Sequence, residues 1–455
     1  MQQHQLAELM CGFSHALDLA EGQPAGHAVR CAYLGMHLAR AIDLAPADQW
    51  ELYYTLLLKD LGGSSNAARI HDVFLSDDLR FKRKAKRFAD HLPPAAQLAL
   101  SQTGARVGLL ARVRATLRAM RQGDAIAHAL TQTRGERGAE WARQLRFSDK
   151  VGRAIHALEE HWNGTGKPDG LAAQQIPLYA RIALIAQVVE IFHHEGGPQA
   201  AMHALRDRRA TWFDPHLVDA FERAASQPDF WAPLTAPDVI AQVIALEPAV
   251  GALALDDDYL DEITAVFGQI ADAKSACTAG HSARVGLYTD LIAAQCGLPA
   301  ERRRGLRRAA LLHDLGMLGI SNALLDKAGP LDDRERTAMQ LHVQLTEHLL
   351  ARIGAFADWV AVVGAHHEWL DGSGYPRGLR GDAITLEARI LTTADLFDAI
   401  STDRPHRPGL SVEQTLANMR ALVDVQIDPR CYAALCTAVE RLNHGAPPTA
   451  ASLAA

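Results

Sequence analysis

Seven side chains in the last 175 residues or so have the types and spacing of a metal centre: His281, His313-Asp314, His342, His366-His367 and Asp395. Each stands among apolar residues, where an uncompensated charge or an unpaired polar atom is costly. Imidazole and carboxylate without thiolate suit iron, manganese or zinc better than calcium or magnesium alone. In an adjacent His-Asp pair the imidazole can serve one metal while the carboxylate bridges to its neighbour. Two metals about 3.5–4 Å apart can activate a water and hold both oxygens of an in-line attack on phosphorus. Any one of these histidines alone reads as a satisfied core residue. The two adjacent pairs, taken with the rest, do not.

The elements that must position them are helices. Asp256, Asp257 and Asp258 open a segment with apolar residues at 260, 263, 266, 267 and 270, which predicts a helix with acidic residues at its N-terminus. Asp332 and Glu335 form a capping-box start for a helix carrying Met339, Leu345 and Leu349, which places His342 in mid-helix. His313-Asp314 closes one helix and His366-His367 ends another, while Asp395 falls inside a helix expected over 386–400. No alternation bounded by hairpin signals recurs, so the expected fold is all-α.

An internal repeat organises the chain. Ala25-Gly26-His27-Ala28-Val29-Arg30 is matched by Ala279-Gly280-His281-Ser282-Ala283-Arg284, and 32 residues after each histidine stand Lys59-Asp60-Leu61-Gly62 and His313-Asp314-Leu315-Gly316. Asn163 to Pro168 then answers Asp371 to Pro376, and Ile176 to Ile182 answers Ile384 to Ile390. The offset falls by 46 residues between the second and third matches, which puts an insertion within 67–150, around the basic run Arg80 to Arg87. The expected division is a first domain at 1–225, a proline-bearing linker at 226–258, a second domain at 259–442 and a flexible tail at 443–455.

Composition excludes several classes. Apolar residues make up 48% and charged residues 22%, which rules out a disordered or collagen-like chain. A net charge of -7 is a poor footprint for a nucleic-acid binder. No apolar run reaches membrane-spanning length, and Met1 to Gln5 lacks the basic region of a signal peptide. Six cysteines with no C-x-x-C pair are expected to be reduced and buried. A cytoplasmic protein with no membrane or nucleic-acid partner follows as the expectation.

The segment 259–442 resembles the HD-GYP family, a branch of the HD metal-dependent phosphohydrolases. His313-Asp314-Leu315-Gly316, His366-His367-Glu368, Asp371-Gly372-Ser373-Gly374-Tyr375-Pro376 and Asp403-Arg404-Pro405 carry the likeness. The resemblance implies two tandem HD-type helical bundles, the first degenerate, and hydrolysis of a cyclic dinucleotide. Cyclic di-GMP, cut to linear pGpG or GMP, is the first expectation. The hybrid cyclic GMP–AMP is the alternative, and a weak metal- or nucleotide-binding signalling module is the rival. By motif His313, Asp314, His342, His366, His367 and Asp395 would hold two divalent ions, iron or manganese ahead of zinc, nickel or magnesium. Asp314, Lys327 and Arg404 would act in catalysis. Gly374, Tyr375, Pro376, Arg377 and Arg404 would contact substrate.

Two departures mark the second copy. Met317 stands where the family usually has a lysine, and Lys327 or Arg377 is the expected substitute cation. Cys277 replaces the glutamate of three-metal members, so His281 is a doubtful ligand. In the first copy Lys59, Leu158-Glu159 and Gln187 replace His313, His366-His367 and Asp395. That copy is expected to be a structural or regulatory partner, or a contact for a second chain or a signalling protein. His193-His194-Glu195 imitates the later His-His-Glu but falls opposite Ser401-Thr402-Asp403. Gly164-Thr165-Gly166-Lys167 is too short for a P-loop and is followed by Pro168.

Overall fold

The computed structural model describes residues 5–74, 77–88, 109–250, 253–404 and 407–444. Helices and isolated bridges, with no strand, make up the regular structure of these residues. The chain divides into two compact units, Met1–Asp257 and Asp258–Ala455.

The first unit runs α1 (Gln5–Ala20), α2 (His27–Ala41), α3 (Pro46–Leu58), α4 (Ala67–Phe74), α5 (Asp78–Phe88), α6 (Leu109–Gln144), α7 (Asp149–His156), α8 (Leu178–Asp207), α9 (Pro215–Ala225) and α10 (Val239–Ile244). Its core is α2, whose Val29, Cys31, Leu34, Met36 and Leu38 are all fully buried against α3, α8 and α9. The second unit runs α11 (Asp257–Asp272), α12 (His281–Gln295), α13 (Ala300–Leu312), α14 (Asn322–Leu325), α15 (Asp333–Leu350), α16 (Val360–Val363), α17 (Leu386–Ser401), α18 (Val412–Arg420) and α19 (Pro429–His444). Here α12 takes the central place, against α13, α17 and α19.

The repeat is thus architectural. Both α2 and α12 begin after a left-handed glycine, Gly26 at φ 81° and Gly280 at φ 69°. A side chain at either position would be strained, which accounts for the paired Ala-Gly-His. A carboxylate ties each entry turn: Asp18 accepts from the amides of Gly26 and Ala28, and Asp272 from that of Ser282. The predicted capping box forms at α15, where Asp332 accepts from the Glu335 amide at 2.9 Å and Glu335 from the Asp332 amide at 2.8 Å.

Two expectations need correction. Most of the segment read as a linker at 226–258 belongs to the first unit: Phe230 is buried against Phe221 and Tyr33, and the Tyr54 hydroxyl donates to Glu247. Four prolines suggested an open connector, but the aromatic and aliphatic residues between them supply the contacts. The cysteines are all free, yet only Cys11, Cys31, Cys296 and Cys431 are buried; Cys277 and Cys436 are half-buried. Residues 445–455 of the expected tail, Pro405, and parts of the insertion lie outside the described residues.

Candidate metal centre

The second unit gathers all seven ligand-type residues at one point. α12 contributes His281 from its first turn, and the end of α13 contributes His313 and Asp314. α15 supplies His342, the turn after α16 supplies His366 and His367, and α17 supplies Asp395. His281 Nε2 lies 3.3 Å from His313 Nε2, 3.5 Å from Asp314 and 3.4 Å from Asp395. His342 Nε2 is 3.4 Å and His366 Nε2 3.8 Å from the other Asp314 oxygen. His367 approaches Asp395 at 3.9 Å. Two triads, His281/His313/Asp314 and His342/His366/His367, bring their ligand atoms within metal-sharing distance. Asp314 stands between them with one oxygen towards each.

Backbone carbonyls set the tautomers. The Nδ1 atoms of His313, His342 and His366 lie 2.7, 2.7 and 2.6 Å from the carbonyls of Ala310, Met339 and Val363. A carbonyl only accepts, so each Nδ1 carries the proton and each Nε2 presents its lone pair to the cluster. This is the arrangement that metal-ligating imidazoles adopt. His281 Nδ1 is held the same way by Asp398 at 2.7 Å, and Arg284 fixes that carboxylate at 2.5 and 3.0 Å. Sequence reasoning missed Asp398, although its place three residues after Asp395 on a helix puts both carboxylates on one face.

The donor set fits a metal centre on direct grounds. Asp314 Oδ1, His342 Nε2 and His366 Nε2 are buried with no hydrogen-bond partner. Buried acceptors left unpaired are costly, and a cation between them would satisfy all three. Electrostatics agree. Burial opposes ionisation of Asp314, but the surrounding imidazoles of His313, His281 and His342 outweigh it and hold the carboxyl well below its usual range. Asp395 is likewise held low against burial by His281 and His313. Burial, and then the imidazoles of His367 and His313, push His366 well below the usual histidine value. Burial, then His342, brings His367 down to about 4. Burial opposes protonation of His281 and His313, but the Asp314 and Asp395 carboxylates outweigh it and raise both. A divalent ion, which needs ionised carboxylates and neutral imidazoles, would take over the positive charge that these two rings carry.

Beside this cluster opens a cavity of about 780 Å³, lined by Asp314, Met317, Lys327, Arg336, Arg404 and Arg407 among others. Cys277 also lines it, four residues before His281. The Lys327 ammonium pairs with Glu335 at 2.5 Å. Arg377 takes a different place: its guanidinium pairs with Glu347 at 2.7 Å, and its amide donates to Glu368. It does not line this cavity, so of the two substitute cations only Lys327 stands in the cavity with Met317. Gly374 lets the loop lie on the backbone, since a Cβ there would come within 2.4 Å of the Trp369 nitrogen. The loop then lays the Tyr375 ring 4.7 Å from that of His367. Pro376 follows through a cis peptide bond.

In the first unit the same geometry is filled by cations of the chain itself. His27 pairs with Glu190, and Arg30 holds Glu190 at 2.6 Å, as His281, Asp398 and Arg284 do in the second unit. Lys59 sits 3.2 Å from His27 Nε2 and pairs with Asp60. Arg134 stands where His342 would be, pairing with Asp60 and, at 2.9 Å, with Glu159. From α5, inside the insertion, Lys86 reaches Glu21 and Asp60, both at 2.9 Å, and Lys82 donates to the carbonyls of Ala20 and Gly63. The two metal-type groups found among the described residues both lie in the second unit. His193 stacks on Trp231 at 5.2 Å and 9°, remote in kind from a ligand. Gly164 to Lys167 lies in the loop between α7 and α8 and opens no helix.

A tandem of helical bundles with a His/Asp cluster in one of them defines the class. The HD domain model matches residues 93–217 and 265–431, and the chain belongs to the HD domain family, in its HD-GYP branch of metal-dependent cyclic-dinucleotide phosphodiesterases. Among its relatives, the chain is 46% identical over 437 residues to 3'3'-cGAMP-specific phosphodiesterase 3 of Vibrio cholerae, covering 96% of this chain and 95% of that one. The crystal structure of a cyclic GMP-AMP-specific phosphodiesterase from V. cholerae superposes with a TM-score of 0.66 at 41% identity, over 96% of this chain and 97% of the other. The cyclic di-GMP phosphodiesterase response regulator RpfG of Xanthomonas campestris is 38% identical over 159 residues, 33% of this chain and 41% of that protein.

Proposed function

We propose that this enzyme hydrolyses 3'3'-cGAMP, opening the ring at one phosphodiester to give a linear dinucleotide. One observation carries the reading: the likeness to a 3'3'-cGAMP-specific enzyme runs through both units, the degenerate one included, whereas the likeness to a cyclic di-GMP enzyme covers a third of the chain. The hybrid substrate therefore moves ahead of cyclic di-GMP, the first expectation from sequence.

His313, Asp314, His342, His366, His367 and Asp395 would hold two divalent ions, iron or manganese by donor chemistry. His281 joins them, since Asp398 orients its Nε2 into the same cluster. The ions, when bound, supply an activated water and offset charge on the phosphoryl oxygens. The remaining work falls to the protein. Tyr375 covers one side of the cluster, Lys327 and Arg404 offer cations to the phosphate oxygens, and Met317 contributes packing alone. The first unit, whose centre is closed by its own lysines, serves as a structural or regulatory partner. A second-messenger substrate places the activity in the cytoplasm.

The test is hydrolysis of 3'3'-cGAMP, cyclic di-GMP and cyclic di-AMP by protein reconstituted with manganese or iron, with products followed by chromatography. The hybrid should show the highest kcat/KM. Faster turnover of cyclic di-GMP would overturn the assignment.

A further inference from the structure

Basic side chains line the cavity beside the cluster, and their commitments differ. Lys327 is paired with Glu335, and the Arg407 guanidinium donates to the carbonyls of Ala399, Ile400 and Pro408. The Lys274 ammonium is buried and donates to the Leu318 carbonyl at 2.8 Å. Arg336 is exposed on the cavity wall, and no carboxylate or carbonyl among the described residues pairs with its guanidinium. Of the acids just before it, Asp332 caps α15 and Glu335 takes Lys327, while Asp333, three residues before it, is not paired with it.

Position along α15 gives this guanidinium a task. Arg336 precedes His342 by six residues, a rise of about 9 Å; Arg336 and Met339 line the cavity, and Asp314 joins it to the cluster. A phosphate held at the cluster therefore leaves the outer cavity to a base, over a wall that includes Leu331 and Met339. Guanidinium offers donors only, in a planar fork that matches the O6 and N7 acceptors of guanine. Adenine places an amino donor where guanine has O6, so the same fork meets a donor there. We propose that Arg336 is a specificity-determining residue that reads the guanine of the substrate from α15. The proposal rests on the cyclic-dinucleotide reading of the site, though not on which guanine-containing ring is preferred.

The experiment uses the full chain loaded with manganese, with the variants Arg336→Gln and Arg336→Lys. Both should raise KM for 3'3'-cGAMP and cyclic di-GMP roughly ten-fold, with kcat within about two-fold and metal content unchanged. The inhibition constant of cyclic di-AMP, followed as a competing ligand, should not move. Lysine is the decisive variant, because it keeps the charge and loses the fork. Recovery of wild-type KM by lysine, an equal shift for cyclic di-AMP, a fall in kcat at constant KM, or no change would each overturn the proposal. The substrate preference of the wild type separately decides the proposed function, so the two can fail independently.

Discussion

At the scale of single residues, Met317 is expected to be the weak point of the centre. Its amide donates to the Asp314 carbonyl at 2.9 Å and it lines the cavity, so it stands beside the His/Asp cluster without a charge to give. As water attacks, the non-bridging oxygens gain negative charge, and a nearby ammonium stabilises that state more than the ground state. Met317→Lys keeps an unbranched chain of similar length and is expected to raise kcat by up to on the order of 100-fold, with metal content unchanged. Steady-state rates at equal metal loading check this; an unchanged or lower rate assigns the cation to Lys327. Asp314 is the opposite case. Asp314→Ala should abolish turnover and release metal, because the carboxylate that stands between the two triads, with one oxygen towards each, is lost. His193→Ala should leave rate and metal content alone and lower the melting temperature through the lost stack on Trp231. Equal behaviour of the two variants would refute the site.

At the scale of elements, α5 gives the first unit a centre that needs no metal. Burial opposes ionisation of Glu21, yet Arg134, Lys86 and Lys82 outweigh it and bring its carboxyl down to about 2; His27 and Arg30 do the same for Glu190. A carboxyl whose folded value lies below its unfolded value stabilises the fold above about pH 4.5, and the contribution is lost as pH falls towards 2. Lys86→Met removes one partner from a buried cluster and should cost about 3–5 kcal/mol at pH 7. With the folded Glu21 value nearer its unfolded one, less stability remains to be lost on acidification. Calorimetry at pH 7 and pH 3 should therefore show a lower melting temperature for the variant and a smaller gap between the two conditions. A gap as large as that of the parent would show that Lys86 does not hold the charge.

At the scale of the whole molecule, two units that repeat one architecture differ at their centres: the first is filled by its own lysines and arginine, and the second is expected to take cations from solution. Chelation should lower the transition of the second unit and leave that of the first in place, since anything that binds only the folded state stabilises it. Elemental analysis should return about two ions per chain, all lost in a variant lacking the ligands of the second unit. Ions retained by that variant would contradict the filled centre of the first.

How much of this was legible in the sequence depends on the range of the interaction involved. Helix entries, the capping box at Asp332 and the repeat are local or periodic signals, so they could be read directly, and the paired His-Asp and His-His strings pointed to the residues that gather in the second unit's cluster. The decay of the first copy was equally plain in Lys59 and Gln187. What replaced its metal was not: Lys86 and Arg134 come from elements 26 and 74 residues beyond Asp60, and only folding brings them to one carboxylate. The same holds for Asp398 behind His281, 117 residues away, and for Arg377, whose attachment to Glu347 takes it out of the cavity. The 226–258 segment misled for a related reason, because prolines are a local signal and the burial of Phe230 a tertiary one. Sequence by itself determined which chemistry was available and on which helices. The tertiary structure decided which charges meet, because in a buried site the choice between a metal and a lysine turns on what lies within about 4 Å.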